Sequence, residues 1–221
     1  PDARPAEPSL CVVYADDAIV VLDKPSGLLS VPGRGPDKQD CLSARVVAQF
    51  VDALVVHRLD MATSGLIVMA LGAHAQRTLS EAFANRTVTK CYEAVVHGAV
   101  AATTDDWRVI DLPIAVDWPN RPLRVINLET GKPSKTRLQL RSFDPLRNTS
   151  TVLLEPLTGR THQLRVHLKA IGHPILGDAL YAPPDVVAMA QRLLLHACAL
   201  GFAHPVSGVH MQFSSPLLGN P

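Results

Sequence analysis

Long hydrophobic runs and metal-binding cysteine spacings are both missing from this sequence. No apolar run reaches the 18 or so residues that a membrane helix requires. The chain has four cysteines, Cys11, Cys41, Cys91 and Cys198, and none of them falls in a CxxC pair. The zinc-binding motif HExxH is also absent. We therefore expect no membrane span and no metal. Each cysteine lies in or beside an apolar stretch, which predicts free buried thiols in a reducing cytoplasm.

Several motifs of phosphate binding and catalysis are also missing. GxxxxGK[ST] does not occur, which excludes a P-loop nucleotide site, and no GxSxG elbow of the hydrolase type is present. HRLD at residues 57–60 superficially resembles the HRD catalytic loop of protein kinases. The asparagine at the required spacing, the DFG triplet and the glycine-rich loop are all lacking, so the kinase interpretation fails.

What the sequence does contain is typical of a folded domain. Its 221 residues are 47% hydrophobic and 19% charged, which is the composition of a globular chain. Residues 1–8 are polar and rich in proline, and we expect them to be a disordered lead. We predict a single domain over residues 9–217.

Charge is unevenly distributed along the chain. Residues 1–60 contain six Lys and Arg against nine Asp and Glu, whereas residues 119–147 contain seven against two. The second segment predicts a basic face for a polyanion. An ordinary solvated surface is the alternative that charge alone leaves open.

Hydrophobic periodicity predicts an α+β fold with a mixed, mainly antiparallel sheet, flanked by helices and loops. Helices are expected within 41–50 and 74–85, and a third within 161–172, where Thr161 is placed to cap the helix and Gly172 to end it. Strands are expected within 11–17, 18–27, 65–71, 88–98, 138–143, 149–157, 192–205 and 209–213.

Three polar residues in apolar surroundings are candidates for chemistry. Asp60 precedes a short polar turn and a buried strand, where a carboxylate acts either as a nucleophile or base, or merely caps its own turn. Arg165 lies on the predicted helix, where a basic face can keep a nearby carboxylate ionised. Tyr92 offers a ring for stacking and a hydroxyl for proton transfer, and its alternative is a place in the core.

Longer stretches carry a resemblance to a known family. HRLDMATSGLIVMAL, KCYEAVVHG, LTGRTHQLRVHLKAIGHPILGDALY and RLLLHA occur in this order. They resemble the pseudouridine synthases of the ribosomal large-subunit synthase A type, over roughly residues 10 to 215. The resemblance implies an isomerase that detaches uracil from ribose C1′ and rejoins it through C5. It also implies substrates in 23S rRNA and in tRNA stem-loops.

The resemblance implies roles for three catalytic residues. Asp60 matches the essential aspartate of the family, which attacks either C1′ or C6. Tyr92 matches the tyrosine that packs on the base and removes the C5 proton. Arg165 matches the arginine that pairs with the aspartate.

Three further residues match positions that bind the substrate. Arg58 matches the arginine that enters the RNA helix where the target base was, and His57 is expected to support its loop. Leu195 matches an apolar residue that lines the uracil pocket. A buried base must be flipped out before it reacts, so residues 57–60 are expected to carry both the flipping arm and the nucleophile.

The resemblance also implies the partners of the chain. RNA is the expected partner of a catalytic domain that lacks the separate N-terminal RNA-binding module often found in the family. No cofactor is expected, because the reaction has no net redox change and transfers no group to a second substrate. We further expect no DNA or membrane partner, a monomeric state and a place in the cytoplasm. Two alternatives remain. One is a catalytically silent RNA-binding or RNA-folding protein on the same scaffold, and the other is an unrelated metabolic enzyme of similar fold.

Overall fold

The computed structural model describes residues 10–101 and 107–215. The expected lead over residues 1–8 lies outside these described residues. The strands are β1 Val12–Ala15, β2 Ile19–Lys24, β3 Ala53–Val55, β4 Ser64–Leu71, β5 Thr89–His97, β6 Arg108–Asp111, β7 Ile114–Val116, β8 Arg124–Ile126, β9 Lys135–Asp144, β10 Thr149–Pro156, β11 Leu195–Ala203 and β12 His210–Ser214.

Four α-helices accompany the strands. They are α1 Leu42–Val47, α2 Ala73–Ala84, α3 Gln163–Ala170 and α4 Pro184–Val187, and a 3₁₀ turn covers Pro36–Lys38. Within the described part of the chain, no helix is long and apolar enough to cross a membrane.

Ten of the strands form one sheet. Its order is β1-β2-β4-β11-β5-β10-β9-β6, with β12 also paired to β11 and β3 also paired to β4, while β7 and β8 form a separate hairpin. Of the pairings between described strands, β4 with β11 is parallel and the others are antiparallel. The predicted mixed, mainly antiparallel α+β fold is thus confirmed.

The central strands are apolar on both faces because helices cover both. On β2, Ile19 and Val21 pack with α2 on one side, and Val20 and Leu22 pack with α1 on the other. Because both faces are buried, the sequences of β2 and β4 contain continuous apolar runs and do not alternate between apolar and polar residues. The third helix, α3, packs its Leu164 and Leu168 on β5, β9 and β10.

The structure corrects the sequence-based predictions at several points. Thr161 does not cap α3. The N-cap position of this helix is occupied by His162, whose φ is 57°, and no side chain makes a capping hydrogen bond there. The hairpin β7–β8 and the short α4 were not predicted, since these segments are too short to show a period. Cys11 is exposed and Cys91 is only half-buried, so the expectation of four buried thiols is wrong for these two.

The parallel contact between β4 and β11 is short and unusually close. It pairs Ser64 with His196 and Gly65 with Ala197. Gly65 has a φ of 111°, and a Cβ placed on it would stand 2.4 Å from the Ala197 carbonyl oxygen. Glycine is therefore required here both for the backbone angle and for the approach of the neighbouring strand.

A buried chain of hydrogen bonds stabilises the same contact. Ser64 Oγ lies 2.9 Å from Nδ1 of His196, and Nε2 of His196 lies 2.9 Å from Ser215 Oγ. The Ser215 hydroxyl in turn donates to Asp23 on β2. These bonds connect the neighbouring strands β2, β4 and β11 with the chain after β12.

Replacing Gly65 with alanine should separate β4 from β11. We expect Gly65→Ala to lower the free energy of unfolding by about 3 kcal/mol or more, because backbone strain and a steric clash add. Gly72→Ala is the matched control: its φ is 85° but an added Cβ would meet nothing within 4 Å. Its loss should be about 1–3 kcal/mol from strain alone, and urea unfolding measures both. Equal losses would show that the close approach is unimportant.

Candidate active site

The segment between β3 and β4 is a rigid loop rather than a flexible one. Ser30 clamps Leu59 from both sides: its hydroxyl donates to the Leu59 carbonyl at 2.7 Å and accepts from the Leu59 amide at 3.1 Å. His57 accepts a hydrogen bond from the Val68 amide through Nε2 at 3.1 Å, and its ring stacks on Phe83. These contacts fix the backbone on which Arg58 and Asp60 stand.

A buried lysine supports the loop from below. Lys24 is fully buried, and its ammonium donates to the carbonyls of Pro25, Leu28 and Met61 at 2.9, 2.7 and 3.1 Å. Burial lowers the pKa of Lys24 to about 8, and the negative charge of Asp60 opposes this shift. Lys24 therefore carries a positive charge at neutral pH beneath Asp60. Sequence reasoning missed it, although a lysine that ends an apolar strand is a recognisable signal.

The Asp60 carboxylate faces two nitrogen donors of the 162–165 segment. Its Oδ2 lies 3.8 Å from a terminal nitrogen of Arg165 and 3.9 Å from Nε2 of His162. Both distances exceed hydrogen-bond length, but at this range charges and dipoles still interact appreciably. The Asp60 side chain is 29% exposed and thus open to the cleft. The predicted proximity of Asp60 and Arg165 is present in the structure.

The hydrogen-bonding partner of Arg165, however, is another carboxylate. Its guanidinium makes two short bonds to Asp178, Nε to Oδ2 at 2.9 Å and a terminal nitrogen to Oδ1 at 2.6 Å. Both residues are buried, and the Tyr181 ring lies 5.1 Å below the guanidinium. Arg165 thus pairs with two carboxylates: it makes two hydrogen bonds to Asp178, and its remaining terminal nitrogen forms a longer ion pair with Asp60 at 3.8 Å.

His162 and Tyr181 complete this side of the site, and neither was among the residues singled out from the sequence. Nδ1 of His162 lies 2.7 Å from the Tyr181 hydroxyl, which also accepts a hydrogen bond from the Arg124 amide of β8 at 3.0 Å. Burial lowers the pKa of His162, with the charge of Asp60 acting in the opposite direction. His162 lies three residues before Arg165 in the sequence, whereas Tyr181 comes from a distant loop that no local spacing identifies.

Tyr92 and Leu195 form the apolar side of the site. Tyr92 on β5 pairs with Ala197 of β11, and Leu195 begins β11 beside β4. Both side chains line the same cleft as Asp60. Burial, together with the negative charge of Asp60, raises the pKa of Tyr92, so its hydroxyl keeps its proton at neutral pH. The six residues selected from the sequence thus lie around one cleft.

The cleft is much larger than a pocket for a single nucleoside. Its volume is about 1370 Å³, above the roughly 300–1,000 Å³ of usual small-molecule pockets. Two acidic residues line the cleft, Asp60 and Glu155. The basic residues that line it, apart from Arg165, are Arg58, Arg86, Lys90, Arg137 and Arg160. A long cleft with excess positive charge suits a polyanion.

The basic segment 119–147 contributes less to this cleft than its charge suggested. Of its seven cations, only Arg137 lines the cleft. Lys135 forms an ion pair with Asp111 at 3.0 Å, and the Arg124 guanidinium bonds to nearby carbonyls.

Among the described residues, no group of three or more His, Cys, Asp or Glu side chains could hold a metal ion.

Comparison with known proteins identifies the family. A sequence profile described as RNA pseudouridylate synthase matches residues 18–170. The protein named dual-specificity RNA pseudouridine synthase RluA from Escherichia coli K12 is 49% identical over 212 residues, covering 96% of this chain and 95% of its own. The protein of the same name from Yersinia pestis is 51% identical over 204 residues, covering 92% and 97%.

A solved structure agrees with these sequence matches. Human RNA pseudouridylate synthase domain containing 1 superposes with a TM-score of 0.78 at 29% identity, covering 96% of this chain and 86% of the human one. The profile spans well over half of the chain, and the bacterial relatives match nearly all of it. The chain therefore belongs to the RNA pseudouridylate synthase family and is an RluA-type isomerase that forms pseudouridine in RNA.

Proposed function

We propose that this enzyme isomerises uridines in stem-loops of 23S rRNA and tRNA, with Asp60 as the nucleophile. The observation that carries the proposal is the convergence of Asp60, Tyr92 and Arg165 in one basic cleft. The choice of both RNA classes rests on the relatives, which are named dual-specificity synthases and match nearly the whole chain. One copy of the chain holds all of these groups, which supports action as a monomer.

Extrusion of the target base comes first in the proposed reaction. Removing a base from an RNA stack costs a few kcal/mol. Arg58 is exposed and lines the cleft beside Asp60, which supports a role for its guanidinium in filling the space that the base leaves. The Ser30 clamp on Leu59 keeps this arm and the nucleophile in a fixed relation. The flipped uracil then packs between Tyr92 and Leu195.

Asp60 next attacks one of two electrophilic carbons. Attack at C1′ breaks the glycosidic bond and leaves the uracil with the electron pair, whereas attack at C6 adds the carboxylate to the ring before the bond breaks. In both routes C5 then bonds to C1′, the aspartate is released and the C5 proton is lost. Arg165 and Lys24 hold positive charge near the carboxylate throughout. The atoms balance without a cofactor or second substrate.

Tyr92 contributes both its ring and its hydroxyl to the proposed reaction. Because its pKa is raised, its hydroxyl is not a preformed base. We propose that the ring packs on the uracil, and that the hydroxyl accepts the C5 proton only while passing its own proton to solvent. Such a relay keeps an uncharged phenol next to Asp60.

Asp60→Asn is the direct test of the proposed function. We expect it to reduce tritium release from [5-³H]uridine-labelled rRNA and tRNA by about 10³-fold or more, since an amide is not a nucleophile. RNA affinity should stay within about threefold, because the side chain keeps its shape. Asp52→Asn, at an exposed carboxylate outside the cleft, is the control. Absence of RNA isomerisation in the wild type as well would favour a silent RNA-binding protein.

Arg58→Ala tests base extrusion. If Arg58 offsets part of the flipping cost, of order 2–4 kcal/mol, the variant should slow single-turnover reaction on a paired stem-loop by about tenfold or more. A short unpaired RNA with the same uridine should react within about twofold of the wild type. Arg77→Ala, exposed on α2 and outside the cleft lining, is the control. Equal slowing on both RNAs would contradict the flipping role.

Salt dependence distinguishes the two basic surfaces. Neutralising Arg86 and Arg160, which line the cleft, should reduce the slope of log affinity against log salt by about 0.7–0.9 for each phosphate that the protein no longer neutralises. Neutralising Arg121, Arg124, Lys132 and Lys135 should also flatten the slope, by less per charge, because Lys135 is already paired with Asp111. A slope that responds only to the second set would place the RNA on the 119–147 segment.

A further inference from the structure

His162 has a strained backbone at the edge of the active site. Of the described residues other than glycine, three have positive φ: Arg86, Asn148 and His162. The first two lie at exposed turns, whereas the His162 side chain is only 10% exposed. A left-handed angle costs about 1–2 kcal/mol at such a residue. This backbone angle directs an imidazole toward Asp60, and the proposed reaction gives the imidazole no role.

The hydrogen bonds of Tyr181 determine which His162 nitrogen carries the hydrogen. The Arg124 amide donates to the Tyr181 oxygen, so the hydroxyl has its own hydrogen for its other partner, Nδ1 of His162 at 2.7 Å. This arrangement favours Nδ1 as the acceptor, with the ring hydrogen on Nε2. In the other tautomer the hydroxyl of the buried Tyr181 would lose the acceptor for its hydrogen. Nε2–H is the nitrogen that faces Asp60 Oδ2 at 3.9 Å.

We infer that His162 is a positioning residue for the nucleophile: its Nε2–H, oriented by the Tyr181 hydroxyl, attracts Oδ2 of Asp60 across 3.9 Å and leaves Oδ1 to attack the nucleotide. This inference rests on the proposed role of Asp60. Arg165 offers the carboxylate only one nitrogen, at 3.8 Å, because its Nε and its other terminal nitrogen are bonded to Asp178. With both donors on the same oxygen, the carboxylate has one preferred rotation in the cleft.

The surroundings of His162 suit a neutral donor. The charged and titratable groups around it are the carboxylates Asp60 and Asp178, the cations Arg165 and Arg124, and the hydroxyl of Tyr181. With two charges of each sign nearby, burial decides, and the ring stays uncharged. A neutral donor orients the carboxylate without adding a further cation, which would weaken it as a nucleophile.

Four variants test the inference, each assayed by single-turnover tritium release from labelled total RNA of cells lacking the gene, together with RNA affinity. His162→Ala removes the donor and should slow the reaction by about 10–100-fold. RNA affinity should stay within about threefold, because the defect lies in the reaction step. His162→Gln can place an amide N–H near the former Nε2 and should recover most of the rate. His162→Asn tolerates the left-handed angle best but is too short to reach Asp60, so it should remain slow.

Tyr181→Phe tests the hydroxyl while keeping the ring beneath Arg165. As a single change we expect it to slow the reaction by about tenfold. Combined with His162→Ala it should cause no further slowing, because the Tyr181 hydroxyl acts only through the His162 imidazole. Thermal unfolding of each variant shows whether the fold is retained. If His162→Ala fails to fold, the comparison of Tyr181→Phe, His162→Gln and His162→Asn still decides.

Three results would overturn the inference. They are a wild-type rate for His162→Ala, a faster rate for His162→Asn than for His162→Gln, and additive losses in the double variant. The second would show that backbone conformation is what matters at this position. Asp60→Asn in the same assay separates the positioning role of His162 from the nucleophile assignment of Asp60. If Asp60→Asn still reacts, the nucleophile assignment fails. If Asp60→Asn is inactive while His162→Ala reacts normally, only the positioning role fails.

Discussion

The parallel contact between β4 and β11 is the constraint on which the active site depends. It covers two residue pairs and requires the absence of a side chain at Gly65, because the Ala197 carbonyl occupies that space. Through this contact the loop that precedes β4 meets the beginning of β11, and the antiparallel neighbour β5 adds Tyr92. The proposed nucleophile Asp60, the Tyr92 ring and the apolar side chain of Leu195 therefore come from three distant parts of the chain.

Buried charge is the second feature that organises the site. Arg165 and Asp178 are both almost completely buried, and removing charges from water is costly unless each has well-aligned partners. Their two short bonds meet that requirement and leave the guanidinium with one outward edge toward Asp60. Lys24 acts similarly, with three carbonyl acceptors below the loop. The positive charges near the nucleophile are thus rigid, as preorganised electrostatic stabilisation requires.

Much of this arrangement was predictable from the chain alone, for identifiable reasons. The strand predicted within 138–143 and the helix predicted within 74–85 both form, as β9 and α2, because their apolar residues repeat with the period of a strand and of a helix. The short hairpin β7–β8 and α4 have too few residues for a period to appear. The cap of α3 was mispredicted because a threonine before a helix usually caps it, whereas here the chain turns at His162 instead.

The sequence by itself determined the α+β class, most of its elements and, through the HRLD and GRTHQLRVH motifs, the residues around the cleft. Only the tertiary structure decided the pairing within the cleft: Arg165 bonds to Asp178, Lys24 lies beneath the nucleophile, and Tyr181 orients His162. Periodicity reports which face of an element is buried, because burial repeats with the helix or strand. Side chains from different elements meet only after the sheet and helices have packed, so partner choice among buried polar groups has no local signature.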